Sequence, residues 1–182
     1  MSQQHPALKK ILQRSRQQPA CILLPEGGDS RIQQAAITAA KDGLACPVLL
    51  GKHDVLANSL GESANSDLVQ IIDTASYQHL ESMIDAYVAL RAHKGATPVT
   101  ARVAMADPMQ FAAMMVRQGF ADASIGDAVA STADTIRAAL QIIGKAPNTS
   151  VVSSAMLMLN NQDVADVPDA MVFTDCAFGD RP

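Results

Sequence analysis

The fold is decided by the stretch ACILLPEGGDSR, residues 20–31, in which a short apolar run meets two glycines and a polar helix start. A continuous apolar run closed by Pro25 is typical of a strand that is buried on both faces. Asp29 or Ser30 is suited to capping a helix that continues to about Lys41. The stretch therefore predicts a strand, a loop and a helix, which together form the repeating unit of an α/β fold.

The same alternation continues along the chain. Further strands are predicted at 47–51, 69–73, 121–126, 150–159 and 170–174. Further helices are predicted at 6–16, 54–59, 76–93, 98–105, 108–118 and 131–143. This order favours an α/β class with a mainly parallel sheet flanked by helices. A boundary near Pro147 predicts an N-terminal α/β domain over 1–146 and the start of a second α/β domain, cut short, over 147–182.

The bulk composition excludes several classes of function. The 182 residues carry a net charge of −4, with 48% hydrophobic and 18% charged residues, as in a globular protein. An acidic chain repels nucleic acid and anionic membranes, and 3% aromatic residues leave few platforms for stacking bases. We therefore expect no nucleic-acid partner, and any anionic ligand must be held by local arginines.

Neither a disulfide framework nor a zinc site is expected. The three cysteines are scattered, without a C-x-x-C pair or a histidine at metal-ligand spacing. The N-terminus leads into a polar helix without the apolar core of a signal peptide, and no run approaches about 18 apolar residues. We expect a cytoplasmic protein with no metal site and no membrane partner.

Two junctions between loops and helices carry basic groups that can bind an anion. Arg31 follows two glycines at the carboxyl end of the first strand, which is where open α/β sheets bind their ligands. The spacing matches neither the dinucleotide fingerprint nor the P-loop, and a tight turn with a solvated Arg31 explains it equally well. Arg91 begins the basic cluster RAHKG at 91–95, where the helix dipole also favours cations that lie in water.

The most informative junction is the stretch GDAVASTADTIR, residues 126–137. A short strand enters a loop of small residues, Ser131 and Thr132 lie at a helix start, and Arg137 follows about one and a half turns later. Free backbone N–H groups, two hydroxyls and a guanidinium could converge on a phosphate. A plain helix cap is the alternative. No histidine or serine lies in a recognisable nucleophile motif, so the catalytic residues stay unassigned.

Taken together, these segments resemble the phosphate acetyltransferase/butyryltransferase family. The similarity covers nearly the whole chain, and the matching stretches follow one another in order. They are LLPE and DSR within 23–31, PVLLG at 47–51, LRAHKG at 90–95, the segment 114–122, STADTIR at 131–137 and FTDCA at 173–177. Such an ordered combination is much more specific than any single motif.

The resemblance implies two α/β domains with a cleft between them, similar to the isocitrate/isopropylmalate dehydrogenase fold, and usually a homodimer. It implies a reaction in which the thiolate of CoA attacks the acetyl carbonyl of acetyl phosphate and phosphate leaves. CoA, acyl phosphate and phosphate are then substrates, and no tightly bound cofactor is expected. The residues that match substrate-binding or neighbouring cleft positions of the family are Arg31, Arg91, Ser131, Thr132 and Arg137.

Two features depart from the family pattern. The family loop usually carries Gly where this chain has Asp127, and His or Asn where it has Ala130. The proposed Asp base of the family lies in a second half that this chain lacks, so we expect little or no acetyltransferase activity from this polypeptide alone. The alternative is a non-catalytic module of the same fold, which binds CoA or an acyl phosphate, or serves assembly. Calorimetric titration compared with turnover separates the two.

Overall fold

The computed structural model describes residues 5–61, 68–149, 152–160 and 168–174. The helices are α1 (Pro6–Gln17), α2 (Ser30–Lys41), α3 (His53–Leu60), α4 (Leu80–Arg91), α5 (Pro98–Ala106), α6 (Pro108–Arg117) and α7 (Thr132–Ala138). The strands are β1 (Ala20–Leu24), β2 (Ala45–Leu50), β3 (Gln70–Ile72), β4 (Ala123–Ser124), β5 (Ala155–Leu159) and β6 (Ala170–Thr174). A short 3₁₀ turn, Ala92–Lys94, follows α4, and a π-helical turn, Ala139–Ile143, follows α7.

Four strands form one parallel sheet in the order β3-β2-β1-β4. Strand β1 lies inside this sheet, with Leu24 opposite Leu49 of β2 and Leu23 opposite Ser124 of β4. Because these strands run in the same direction, their carboxyl ends meet at one edge, and the loops after β1 and β4 leave the sheet side by side. The predicted α/β class with a mainly parallel sheet flanked by helices is confirmed.

Side chains of successive strand residues pack into a separate core on each face of the sheet. One core joins Leu23 and Val48 to α4, α5 and α6, and Phe111 and Met114 of α6 are fully buried in it. The other core joins Leu49 to α2 and α3. Burial on both faces explains why β1 and β2 read as continuous apolar runs in the sequence.

The chain divides into two compact units. One unit spans Gln18–Gly144 and contains the parallel sheet. The other combines the residues up to Gln17 with those from Lys145 onward, and within it β5 and β6 pair as an antiparallel ribbon in which Met156 lies opposite Phe173. The division into domains at 1–146 and 147–182 stays a prediction.

Several elements are shorter than the sequence pattern predicts. The helix predicted at 76–93 begins only at Leu80, and before it the chain forms a turn in which Asp73 accepts a hydrogen bond from the N–H of Ala75. The strand predicted at 150–159 begins at Ala155. Residues 150 and 151 lie outside the described residues, and so do residues 175–177 of the FTDCA match.

In the described ranges, no helix has both the length and the apolar character needed to cross a membrane.

Candidate functional site

The loops that follow β1 and β4 form the candidate site at the carboxyl edge of the sheet. The two strands are neighbours, with Ile22 opposite Ala123, so residues 25–29 and 125–131 emerge next to each other. Crevices at this edge are where open α/β sheets usually bind ligands. Of the three junctions that the sequence indicates, the geometry therefore brings together the one at Arg31 and the one at residues 126–137.

A glycine gives the loop after β1 its close approach to β2. A Cβ atom on Gly27 would lie 2.6 Å from the carbonyl oxygen of Leu50, so the backbone would have to shift to accept one. The carbonyl of Gly27 accepts a hydrogen bond of 2.9 Å from the buried side chain of Gln33, which in turn accepts one of 2.7 Å from the Ser59 hydroxyl. These contacts hold the segment that carries Glu26.

The carboxylate of Glu26 binds three consecutive backbone N–H groups of the other loop. Ala128 donates to Oε2 at 2.8 Å, while Val129 and Ala130 donate to Oε1 at 2.7 and 2.6 Å. Partial burial acts to raise the pKa of Glu26, but the three N–H groups outweigh it, so the pKa lies below its ordinary value. Glu26 is therefore a carboxylate at neutral pH, held in a nest of amides.

Arg31 forms a second connection between the two loops. Its guanidinium donates to both carboxylate oxygens of Asp29, at 3.0 and 2.8 Å, and to the carbonyl oxygen of Ala128 at 2.9 Å. The hydrogen bonds from Arg31 are the largest cause of the low pKa of Asp29, which is about 2. The side chain of Arg31 is nevertheless 71% exposed, so a ligand in solution can reach it.

The start of α7 is tied by three side-chain contacts. Ser131 caps the helix, because its hydroxyl accepts from the N–H of Asp134 at 3.2 Å and donates to the Asp134 carboxylate at 2.7 Å. The Thr132 hydroxyl donates to Asp127 at 2.8 Å. Arg137 forms an ion pair with Asp134. The hydrogen bond from Ser131, followed by the one from Arg137, lowers the pKa of Asp134.

Arg91 is the predicted residue that the structure does not link to the others. It ends α4 and is half-buried, and the helix then passes into a 3₁₀ turn that Gly95 closes with a φ of 75°. Among the described residues its side chain shares no hydrogen bond with the two loops. The structure connects Arg31, Ser131 and Arg137 through one loop and its helix, whereas a role for Arg91 stays a prediction.

The sequence left open whether backbone N–H groups of this loop are free to bind a phosphate or whether the loop forms a plain helix cap. In the structure the N–H groups of residues 128–130 are not free, because the carboxylate of Glu26 accepts all three of them. Acidic side chains likewise hold the guanidiniums of Arg31 and Arg137 and the hydroxyl of Thr132. No local pattern signals the contact of Glu26, because more than 100 residues separate it from its partners.

A cavity of 270 Å³ lies beside β4 and is lined mainly by apolar side chains of α6, β4, α7 and the π-helical turn. Thr135 and Ser124 are among its polar residues, but none of the five predicted site residues lines it. Across the described ranges no three His, Cys, Asp or Glu side chains are grouped to hold a metal ion. The two loops with their arginines are therefore the strongest candidate for binding an anionic ligand.

Comparison with known proteins adds an independent line of argument. A family model described as Phosphate acetyl/butaryl transferase matches residues 7–182. A phosphate acetyltransferase of Paracoccus denitrificans is 42% identical over 161 residues, which are 88% of this chain and 47% of that protein. A phosphate acetyltransferase of Acetivibrio thermocellus is 35% identical over 175 residues, which are 96% of this chain and 52% of that protein.

A solved structure with a similar fold is a phosphotransacetylase from Streptococcus pyogenes. The TM-score is 0.82 and the sequence identity 32%, and the match covers 96% of this chain and 53% of the other. The chain thus spans about half the length of the relatives named above.

Proposed function

The chain belongs to the Phosphate acetyl/butaryl transferase family, and from that premise we propose that it carries a binding site for CoA and an acyl phosphate. In the proposed reaction the thiolate of CoA attacks the acetyl carbonyl of acetyl phosphate, a thioester forms and phosphate leaves. The reverse direction makes acetyl phosphate from acetyl-CoA and phosphate. The observation that carries the proposal is the cluster of Arg31, Ser131, Thr132 and Arg137 around two linked loops.

The arginines supply the chemistry that a phosphate ligand requires. A guanidinium donates two parallel hydrogen bonds to phosphate oxygens, and it stabilises the negative charge that develops on a leaving phosphate. Arg31 and Arg137 are 71% and 58% exposed, so each can turn from its aspartate partner to a ligand. A ligand phosphate must replace those carboxylates, and Arg91 is proposed as a further cation for the same ligand.

We propose that the chain alone has little or no turnover. Attack by CoA requires removal of the thiol proton, and thiols of this kind have a pKa of about 8.5. The Asp29 and Asp134 carboxylates of the loops are weak bases, because hydrogen bonds lower the pKa of both, to about 2 for Asp29. Neither is suited to accepting that proton, and the family's proposed base has no match in this chain.

Further properties are proposed from the family resemblance alone. They are a cytoplasmic location, a homodimer, a fold of the isocitrate/isopropylmalate dehydrogenase type for the whole protein, and the absence of a tightly bound cofactor. The acyl group is proposed to be acetyl.

The test is a calorimetric titration of the chain with CoA and with acetyl phosphate, comparing the Arg137→Ala and Arg102→Ala variants. Arg102 is the matched control, since it is also an exposed arginine in an ion pair, 2.7 Å from Glu81. A charge-assisted contact is worth about 1.5–3 kcal/mol, so Arg137→Ala should weaken binding about tenfold or more.

Equal affinity for the two variants would contradict the proposed site. A spectrophotometric assay of thioester formation then measures turnover by the same preparation. Rates in the ordinary range of enzymes, above about 1 per second, would contradict the proposal that the chain alone is nearly inactive.

A further inference from the structure

Glu26 belongs to the loop after β1, but its side chain forms hydrogen bonds with the loop after β4. Its two carboxylate oxygens accept three N–H groups from the consecutive residues Ala128, Val129 and Ala130, at 2.6 to 2.8 Å. Consecutive amides that point to one spot form a nest, which favours an anion. Here the anion is a side chain of the protein, so the nest is already filled.

Burial of large apolar side chains does not hold the 126–131 loop. No side chain from Asp122 to Ser131, a stretch that the structure describes throughout, is buried, and Val129 is 70% exposed. Asp127 adopts a φ of 83°, a conformation that a residue with a Cβ atom seldom adopts. Gly126 does pack closely against the side chain of Met109, but beyond it hydrogen bonds hold the loop, and Glu26 supplies three of them.

We propose that Glu26 is a positioning residue whose carboxylate holds the 126–131 loop in the shape that presents Ser131, Thr132 and the Arg31 guanidinium to a phosphate group. The inference rests on the proposed function, because it takes these residues to contact an anionic ligand. Within the described ranges the hydrogen bond that joins Arg31 to this loop goes to the carbonyl of Ala128. The position of the Arg31 guanidinium therefore depends in part on where the loop lies.

A carboxylate is needed at this position for a chemical reason. Ionised Glu offers two acceptor oxygens with about four lone-pair sites, which suffice for three N–H donors. Glutamine offers one acceptor oxygen, and its NH₂ group would face an N–H that also donates. Glu26→Gln therefore keeps the size of the side chain but leaves at least one amide of the nest without an acceptor.

Loss of loop order lowers affinity without removing any group that touches the ligand. If the loop holds the binding shape for about a tenth of the time, the apparent dissociation constant rises about tenfold. A role in global stability alone would behave differently, because it would leave the affinity of the folded protein unchanged.

The experiment compares the parent chain with Glu26→Gln and with the control Glu81→Gln. Glu81 is also a glutamate with a hydrogen-bonded partner, Arg102, but unlike Glu26 it is exposed, and it lies on α4 away from both loops. Hydrogen exchange of the amides of residues 128–130 reports the order of the loop, with the amides of β2 as the internal reference. Calorimetric titration with CoA reports the affinity of each folded variant.

The expected result for Glu26→Gln is faster exchange at residues 128–130, unchanged exchange in β2 and a dissociation constant for CoA that is about tenfold higher. The control should match the parent in all three. Unchanged exchange, or faster exchange with the parent's affinity, would overturn the role of Glu26 while leaving the proposed function intact. A parent chain that does not bind CoA would instead overturn the proposed function and this inference with it.

A second variant covers the case in which Glu26→Gln does not fold, as judged by circular dichroism. Glu26→Asp keeps the charge but withdraws the carboxylate by one methylene, about 1.5 Å, so it can no longer reach all three amides. The same changes in exchange and affinity are expected, and parent-like values in both would overturn the proposal.

Discussion

Asp127 places a further carboxylate in the candidate site, beside those of Asp29 and Asp134. It precedes Ala128, whose carbonyl accepts from Arg31, and it adopts a φ of 83°. Its carboxylate accepts the Thr132 hydroxyl at 2.8 Å, so it also helps to hold the start of α7. The charge and the hydrogen bond can be separated, because only the charge repels a phosphate.

Asp127→Asn should therefore strengthen the binding of inorganic phosphate. Asparagine keeps an oxygen that accepts from Thr132 and tolerates a positive φ, while the repulsion is removed. Exposed charge pairs contribute about 0.2–1 kcal/mol, which predicts an affinity about 1.5 to 5 times higher at low salt. Titration at two salt concentrations measures this effect, which should shrink as salt rises. Asp85→Asn, an exposed position on α4, is the control, and weaker binding by Asp127→Asn would contradict the argument.

At the scale of elements, the loop between β1 and α2 depends on one of its two glycines. A Cβ on Gly27 would lie 2.6 Å from the carbonyl oxygen of Leu50 and 3.2 Å from the Cβ of Leu49. A Cβ on Gly28 would meet nothing within 4 Å. Two adjacent glycines that look equivalent in the sequence thus have different physical roles.

Gly27→Ala should lower the free energy of unfolding by about 1–3 kcal/mol, the usual effect of overpacking. Gly28→Ala should change it by less than about 0.5 kcal/mol, as surface substitutions usually do. Urea denaturation followed by circular dichroism measures both. An equal loss in the two variants would mean that the close approach to β2 does not limit the residue at position 27.

At the scale of the whole molecule, the buried apolar side chains of the described residues all belong to one unit. They run from Leu23 to Ile142 and form the two cores on the faces of the parallel sheet. The β5–β6 ribbon instead exposes its apolar side chains, for example Val172 at 66% and Met158 at 50%. An isolated two-stranded ribbon is only marginally stable in water.

Residues 18–144 expressed alone should therefore fold with both cores intact. The expected outcome is a cooperative urea transition whose midpoint lies close to that of the whole chain, because the buried apolar area that drives folding is retained. Circular dichroism and fluorescence of a bound apolar dye would check it. Strong dye binding together with a broad transition would show that the sheet needs the remaining residues.

The sequence alone determined the type and order of the helices and strands in the sheet unit, though not all of their ends, and the residue types of the site. Apolar runs and helical stripes are local patterns, and a cap such as Asp29 acts on the N–H of Arg31 two residues away, so both can be predicted from neighbours in the chain. The resemblance to the family indicated which ligands to expect, namely CoA, an acyl phosphate and phosphate.

Only the tertiary structure decided which groups bind one another. Glu26 meets residues 128–130 because parallel pairing places β1 beside β4, and β5 pairs antiparallel with β6 instead of entering the parallel sheet. Hydrogen bonds form only when donor and acceptor lie about 3 Å apart. The partners of a side chain are therefore set by distance in space and not by distance along the chain. Contacts between residues 100 positions apart therefore follow from the packing of whole elements, which no local pattern encodes.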